Sequence, residues 1–382
     1  MQRNRSLRIL TLCSALLTPL GLASPAQATL FTVTNLVTDD QTANPALLTD
    51  QNLVNAWGVS YSATSPFWVS DNGKGVSTLY SVNPATNAPT AQALVVTIPK
   101  AGNVTGQVFN ANSGSGAFNG DAFLFVSEDG TISGWRGALG TTAEVLQVAS
   151  SGNVYKGATT AAINSNYYLY AANFHSGSID VLKGNSGAPD LTGNFIDPTL
   201  PVGYAPFNIQ NINGELYVTY AKQDASKIDD LAGAGNGIVS VFDLQGSFLG
   251  RVATGGSLNS PWGLAIAPAS FGTLAGALLV GNAGDGTVNV FDLSTNGFVG
   301  QLLGSGGDPL AIDGLWSLIA GNGGGGGSPQ SIYFSAGPDG ATHGLFGVIS
   351  AIGPTPSVPE PGTLALLGLG LAGLAAARRR KA

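Results

Sequence analysis

The sequence holds one cysteine, one methionine, two histidines and only 10% charged residues in 382. Cys13 lies in an N-terminal stretch that reads as a removable signal, so the mature chain has no thiol. That excludes disulfides, a thiol nucleophile and a thiolate metal site, and leaves burial in a large core to hold the fold together. Positive charge is also scarce. Without Arg3, Arg5 and Arg8 of the signal and Glu360, Arg378, Arg379, Arg380 and Lys381 of the tail, 8 basic residues face 21 acidic ones. This balance disfavours nucleic acid and anionic surfaces as partners and is compatible with neutral polymers or cations. What the chain has in abundance is glycine, 55 residues, with 20 prolines. Such a composition suits many short strands and tight turns, so an all-β body is expected.

The two ends read as processing signals. Three arginines precede the apolar stretch 9–22, and "ASPAQA" supplies small residues for cleavage after Ala28. The apolar stretch is shorter than the ~20 residues of a membrane span. In "LTLC", Leu12 stands where a lipoprotein signal requires a small residue, so Cys13 is not a lipidation site. The expected organisation is a signal peptide at 1–28, a body at 29–352, a Pro-rich spacer at 353–361, a short apolar helix at 362–377 and a basic end at 378–382. As a helix, residues 362–377 would be about 24 Å long against a hydrocarbon core of ~30 Å, a marginal span. The basic end would stay on the cytoplasmic side, with the body outside.

The order of "VPEP" (Pro359, Glu360, Pro361), a short Gly/Leu/Ala helix and "RRRK" (Arg378, Arg379, Arg380) resembles the PEP-CTERM sorting signal of Gram-negative bacteria. The resemblance implies export by the Sec machinery, recognition by an exosortase, removal of the tail and delivery to the cell surface or an exopolysaccharide matrix. A plain tail anchor is the alternative.

Within the body one phrase recurs. Its fullest copy is "SPWGLAIAPASFGTLAGALLVGNAGDGTVNVFDL" from position 260, and its first is "NAWGVSYSATSPFWVSDNGKGVSTLYSV" from position 55. Six copies place second-strand ends at Asp71, Glu128, Asn173, Tyr220, Asn282 and Ala336, roughly 53 residues apart. Each unit has room for four short strands, and "EDG", "HSG", "AGDG" and "GPDG" supply glycine beside a short polar residue at the turns. A lone unit cannot bury both faces, so the units must stack in a ring. The fold class is therefore a β-propeller of six four-stranded antiparallel blades, with "FTVTNLV" (31–37) closing the last blade. Five or seven blades remain open on the degenerate copies. The "PWGLAIAP…LLVGNAGDGTVNVFDL" phrase resembles the NHL-type repeat, and body and tail together resemble an uncharacterised family of exported bacterial propeller proteins. An insertion in the fourth unit, 221–237, reads as a short helical loop or a mobile flap, and "GNGGGGG" (321–327) as a flexible connection.

No G-x-S-x-G elbow occurs, and His175 and His343 fall beside turns of opposite units, so they meet only if the ring brings them to its axis. Asp71, Glu128, Asn173 and Asn282 carry oxygens at second-strand ends. Propeller hydrolases of the gluconolactonase type gather similar side chains around an axial calcium or other divalent ion, and the resemblance opens a hydrolase or lactonase reading with Ca2+ as cofactor. The plainer reading is that Asp and Asn cap turns by binding nearby amides, with Tyr220 and Ala336 interrupting the set. Trp57, Trp262, Trp316, Phe109 and Phe207 recur at unit starts, either as packing between blades or as a platform for sugar stacking. Trp135 lies off that register and is the candidate for surface ligand contact. The leading expectation is a non-enzymatic surface or matrix module, with exopolysaccharide as a possible partner and no bound cofactor.

Overall fold

The computed structural model describes residues 28–99 and 103–353. The signal stretch, the Pro-rich spacer, the apolar tail helix and the residues of the sorting motif, Pro359 to Arg380, lie outside that range. Among the described residues no helix is long and apolar enough to cross a membrane.

Six small sheets make a ring. Blade one pairs Ala56–Ser60, Phe67–Asp71, Val76–Val82 and Pro89–Ala91. Blade two pairs Val104–Phe109, Phe123–Ser127, Ile132–Trp135 and Glu144–Gln147. Blade three has Tyr155–Ile163, Asn166–Asn173 and Ser178–Lys183. Blade four has Tyr204–Ile212, Glu215–Lys222, Gly237–Phe242 and Phe248–Thr254. Blade five has Pro261–Ile266, Leu278–Asn282, Val288–Asp292 and Gly297–Gln301. Blade six pairs Leu315–Ala320, Ile332–Ala336 and Leu345–Ala351 with the N-terminal strand Leu30–Thr38. The ring is a six-bladed β-propeller. Leu30–Thr38 runs antiparallel to Leu345–Ala351, with Phe31 opposite Ala351 and Thr38 opposite Leu345.

The first strand of each blade touches the first strands of both neighbours, last to first included, so these six strands surround the axis. The second strands FWVSD, FLFVS, LLVGN and IYFSA are buried along their whole length. Their continuous apolar runs, rather than alternation, follow from packing on both faces. Accordingly the cores lie between blades: Trp68 and Leu79 of blade one meet Phe123 and Phe125 of blade two. In the same way Tyr168 and Tyr170 of blade three meet Leu216 and Val218 of blade four.

Three expectations need correction. Blade three has three strands, because residues 190–197 leave its edge: Gly193 N and Phe195 N donate to Gln245 O and Gly246 O of blade four at 2.8 and 2.9 Å. The glycine run 321–327 is a packed loop wound around Asn322, whose Oδ1 accepts Gly324 N and Gly326 N and whose Nδ2 donates to Ser62 O and Ser65 O. A Cβ on Gly324 or Gly325 would sit 3.0–3.1 Å from the Thr64–Pro66 backbone, so glycine serves close approach there. The 221–237 insertion is not helical; Asp224 Oδ1 accepts the amides of Ile228 and Asp229, and an isolated bridge joins Gln223 to Asp230.

Ring closure should dominate stability. Phe31 is buried, with its ring 4.6 Å from Phe271, so Phe31→Ala is expected to cost about 3–5 kcal/mol in denaturant unfolding. Val33 on the same strand is 37% exposed, and Val33→Ala should stay within about 0.5 kcal/mol. Equal losses for the two would contradict closure by this strand.

Candidate functional site

The six first strands come together at a narrow waist. A Cβ on Gly58 would lie 2.6 Å from Thr105 O, one on Gly106 2.8 Å from Ala158 N, and one on Gly263 2.6 Å from Trp316 O. Gly157 is likewise pressed against Asn208. Hydrogen bonds tie neighbouring strands at this level: Gln107 Nε2 to Gly58 O (2.7 Å), Thr105 Oγ1 to Tyr155 O (2.7 Å), Asn208 Nδ2 to Trp262 O (2.8 Å) and Ser317 Oγ to Trp57 O (2.7 Å). The waist separates two mouths of different chemistry.

One mouth is sealed. The residue preceding each waist position is Trp57, Thr105, Lys156, Phe207, Trp262 or Trp316. Trp57 and Trp316 stack with centroids 3.7 Å apart, and Trp262 stands edge-on to both at 6.3 and 6.2 Å. Phe207 meets Trp316 at 6.0 Å and Phe174 at 5.2 Å. The indoles therefore cover one another on the axis. They pack between neighbouring blades, one with six and five with six, and at Trp57–Trp262 also between blades one and five, and they form no open platform. Lys156 is 1% exposed, lies over the Trp57 ring at 5.1 Å, and pairs with Glu128 and, at 3.2 Å, with Asp229 of the insertion. Asn55 Oδ1 accepts both Trp57 Nε1 (2.9 Å) and Trp316 Nε1 (3.2 Å). Asn55 Nδ2 continues to Asn72 Oδ1, and Asn72 Nδ2 to Glu128 Oε2 at 3.3 Å.

The four strand-end candidates do not converge. Asn282 Oδ1 accepts Asn259 N, and its Nδ2 donates to Ser257 O, Asp285 Oδ1 and Thr287 Oγ1. Asn173 Oδ1 accepts Val154 N, and its Nδ2 donates to Asn153 and Asp180. Both close their own turns. Asp71 occupies the same place in blade one, but the nearby amides Val54 N and Asn55 N are committed to Asn52 O and His343 O. Its two oxygens are buried without partners, and burial pushes its carboxyl well above the ordinary range. Only Glu128 reaches the axis, where Lys156 holds it. The oxygens of Asn173, Asn282 and Glu128 are spent on amides and an ammonium group, and Asp71 stands alone in its own blade, so the four do not share a cation. Among the described residues no three His, Cys, Asp or Glu side chains gather as a metal would require. His175 and His343 make no hydrogen bond to each other; His343 Nδ1 lies 3.1 Å from Asp39 Oδ2, and this carboxylate raises its pKa. Trp135 is half-buried at the perimeter, 4.9 Å from Trp68, with its N–H donated to Gly140 O.

The other mouth is an open funnel of about 280 Å³. Its floor is the waist, and its walls are the outgoing halves of the first strands, among them Ser60, Tyr61, Gln107, Phe109, Thr159, Gln210 and Ile319. Among the described residues lining it there is no Asp, Glu, Lys, Arg or His. Ser60 Oγ and Gln107 Oε1 are buried there without a protein partner. The Gln107 amide cannot turn freely, since Nε2 already donates to Gly58 O and Trp68 O. Of the sequence candidates only Phe109 and Trp262 contribute to this wall. The recurring pair of bulky residue and glycine, as in "WG" at 57–58 and 262–263 and "KG" at 156–157, is the signal that marks the axis.

The chain is 31% identical over 327 residues to "Uncharacterized protein R648" of Acanthamoeba polyphaga mimivirus, a match covering 80% of this chain and 77% of that protein. It is 33% identical over 331 residues to "Uncharacterized protein L690" of the same virus, covering 78% and 80%. It belongs to the family of these two proteins. Residues 357–381 match the PEP-CTERM protein-sorting motif. Among solved structures, a mutant of the alpha-l-arabinofuranosidase arb93a from Fusarium graminearum is similar at TM-score 0.50 and 10% identity, over 84% of this chain and 98% of that one. That likeness is one of fold alone.

Two consequences can be measured. Asp71 is protonated in the fold to a higher pH than in the unfolded chain, so its contribution is full below about pH 4 and falls as pH rises through the raised folded value. Asp71→Asn, which installs the residue found at 173 and 282, should gain about 1–3 kcal/mol over wild type at neutral pH and progressively less toward pH 4. Unfolding midpoints recorded across that range check this; parallel curves would contradict it. At the sealed mouth, Glu128→Ala leaves the buried Lys156 with only the exposed Asp229 as a partner and should cost about 3–5 kcal/mol. Asp229, 70% exposed, should cost less than about 1 kcal/mol on replacement by alanine in the same assay.

Proposed function

We propose that this protein is an exported surface module that binds a neutral glycan, the exopolysaccharide of the producing cell's matrix, in its axial funnel. The sorting motif at 357–381 implies export, surface sorting and recognition by exosortase-type machinery. In this reading residues 1–28 direct Sec export, 353–361 form the spacer, 362–377 anchor the chain transiently with 378–382 in the cytoplasm, and the tail is then cut in a Gram-negative envelope.

The observation that carries the binding assignment is the funnel's chemistry. It is concave and apolar in part, with Gln107 Oε1 and Ser60 Oγ buried unpaired in residues of its wall, and its lining carries no charge. Hydroxyl-rich neutral ligands match such a surface, because every buried polar atom left unpaired costs free energy that a hydroxyl recovers. Hydrolysis of a glycoside calls for a pair of carboxylates flanking the bond, and the lining residues contain none. The lactonase alternative with Ca2+ lacks converging oxygens for the same reason as the strand-end set. The acidic body repels polyanions, which favours a neutral polymer.

The full chain in detergent should therefore co-sediment with neutral exopolysaccharide from the producing cells. Its affinity should change less than about twofold between low and physiological salt, since no ion pair is made. Binding that collapses with salt, or no binding, would contradict the reading. In cells, deletion of 358–382 should remove the protein from the surface fraction while leaving export intact.

A further inference from the structure

The depth and closure of the funnel say which part of a polymer it can take. From Gly58 at the waist to Tyr61 at the rim, three residues of extended strand give a depth of about 10 Å. The floor is closed by strand contacts too tight for a Cβ at Gly58, Gly106 or Gly263, and behind it the stacked Trp57 and Trp316 with Trp262 fill the axis. No chain can pass through. The volume of about 280 Å³ falls just below the ~300–1,000 Å³ of pockets that enclose a drug-sized ligand. It accommodates a sugar ring and not a folded stretch of polymer. The unpaired acceptor and hydroxyl, Gln107 Oε1 and Ser60 Oγ, lie buried in residues that line this blind space. An internal unit of a glycan could reach them only if both flanking units bent back up the same narrow walls.

On this basis, and resting on the glycan reading above, we infer that the funnel recognises the terminal unit of a neutral glycan chain rather than internal units. Ser60 and Gln107 are its polar contacts, and Tyr61 and Phe109 are wall residues against which the ring lies. The ligand class is a chain end or a free neutral monosaccharide. The Tyr61 hydroxyl is committed to Ala320 O, and burial raises its pKa, so it adds no charge.

The test does not require knowing the sugar. Neutral exopolysaccharide is cleaved by mild acid to a graded series of chain lengths, and each fraction competes at equal mass for the full-length protein in detergent against immobilised intact polymer. End recognition makes potency per unit mass follow the number of ends, rising about tenfold when mean length falls tenfold. Potency that stays flat or falls with fragmentation would overturn the inference while leaving the glycan reading standing. Failure of intact polymer to bind at all would overturn both. Gln210→Trp, at a half-buried wall position outside the hydrophobic cores, narrows the funnel and should reduce competition by all fractions at least about tenfold. Ser60→Ala, which removes only a hydroxyl, should weaken binding with an unchanged unfolding midpoint. Retained affinity in both variants would place the ligand elsewhere and overturn the assignment.

Discussion

Everything in this molecule depends on six first strands meeting around one axis with too little room for side chains at the meeting point. At the waist, glycine at 58, 106, 157 and 263 lets backbones approach to distances that a Cβ would forbid. Donors from Thr105, Gln107, Asn208 and Ser317 then bind the carbonyls of neighbouring strands across the gap. That contact fixes the spacing of the blades, and blade spacing fixes the cores between them. It also divides the axis into two spaces that share no ligand path.

The two spaces illustrate how differently the same backbone position can be used. On one side, stacked indoles and a lysine held by Glu128 and Asp229 make a dense plug, with Asn55 satisfying two indole N–H groups at once. On the other, the strands diverge and leave neutral walls with two buried polar atoms unpaired. Unpaired buried polar groups are costly in a finished fold, and in the proposed complex a ligand seated in the funnel would give these two a partner. The acidic character of the remaining surface sets the sign of what can approach.

Much of the fold was legible in the sequence because a propeller repeats its instructions. The second strands were visible as apolar runs ending at Asp71, Asn173, Asn282 and Ala336, and the observed strands end there. The closing strand was legible from the need of the ring to close, 31–37 against the observed Leu30–Thr38. The missing fourth strand of blade three was not, since residues 190–197 form their bonds with blade four, a long-range choice no local pattern encodes. The site was only half legible. Asp and Asn at strand ends look alike whether they face an axis or close a turn, and hydrogen-bond partners such as Asn259 N decide the matter. The aromatic register was seen, but the stack of Trp57 on Trp316 joins blades one and six at the ring closure, far apart in the chain. Ser60 and Gln107 carry no motif at all; their place in the funnel wall, together with an unpaired buried atom on each, singles them out.

The most direct measurement of the central claim is a crystal structure of the full-length protein grown with short neutral fragments of the exopolysaccharide. The account predicts density for one terminal sugar unit seated on the waist, with hydroxyls within hydrogen-bond distance of Ser60 Oγ and Gln107 Oε1 and the plug at the opposite mouth undisturbed. Density confined to the outer rim, or a chain threaded past Trp57 and Trp316, would contradict it.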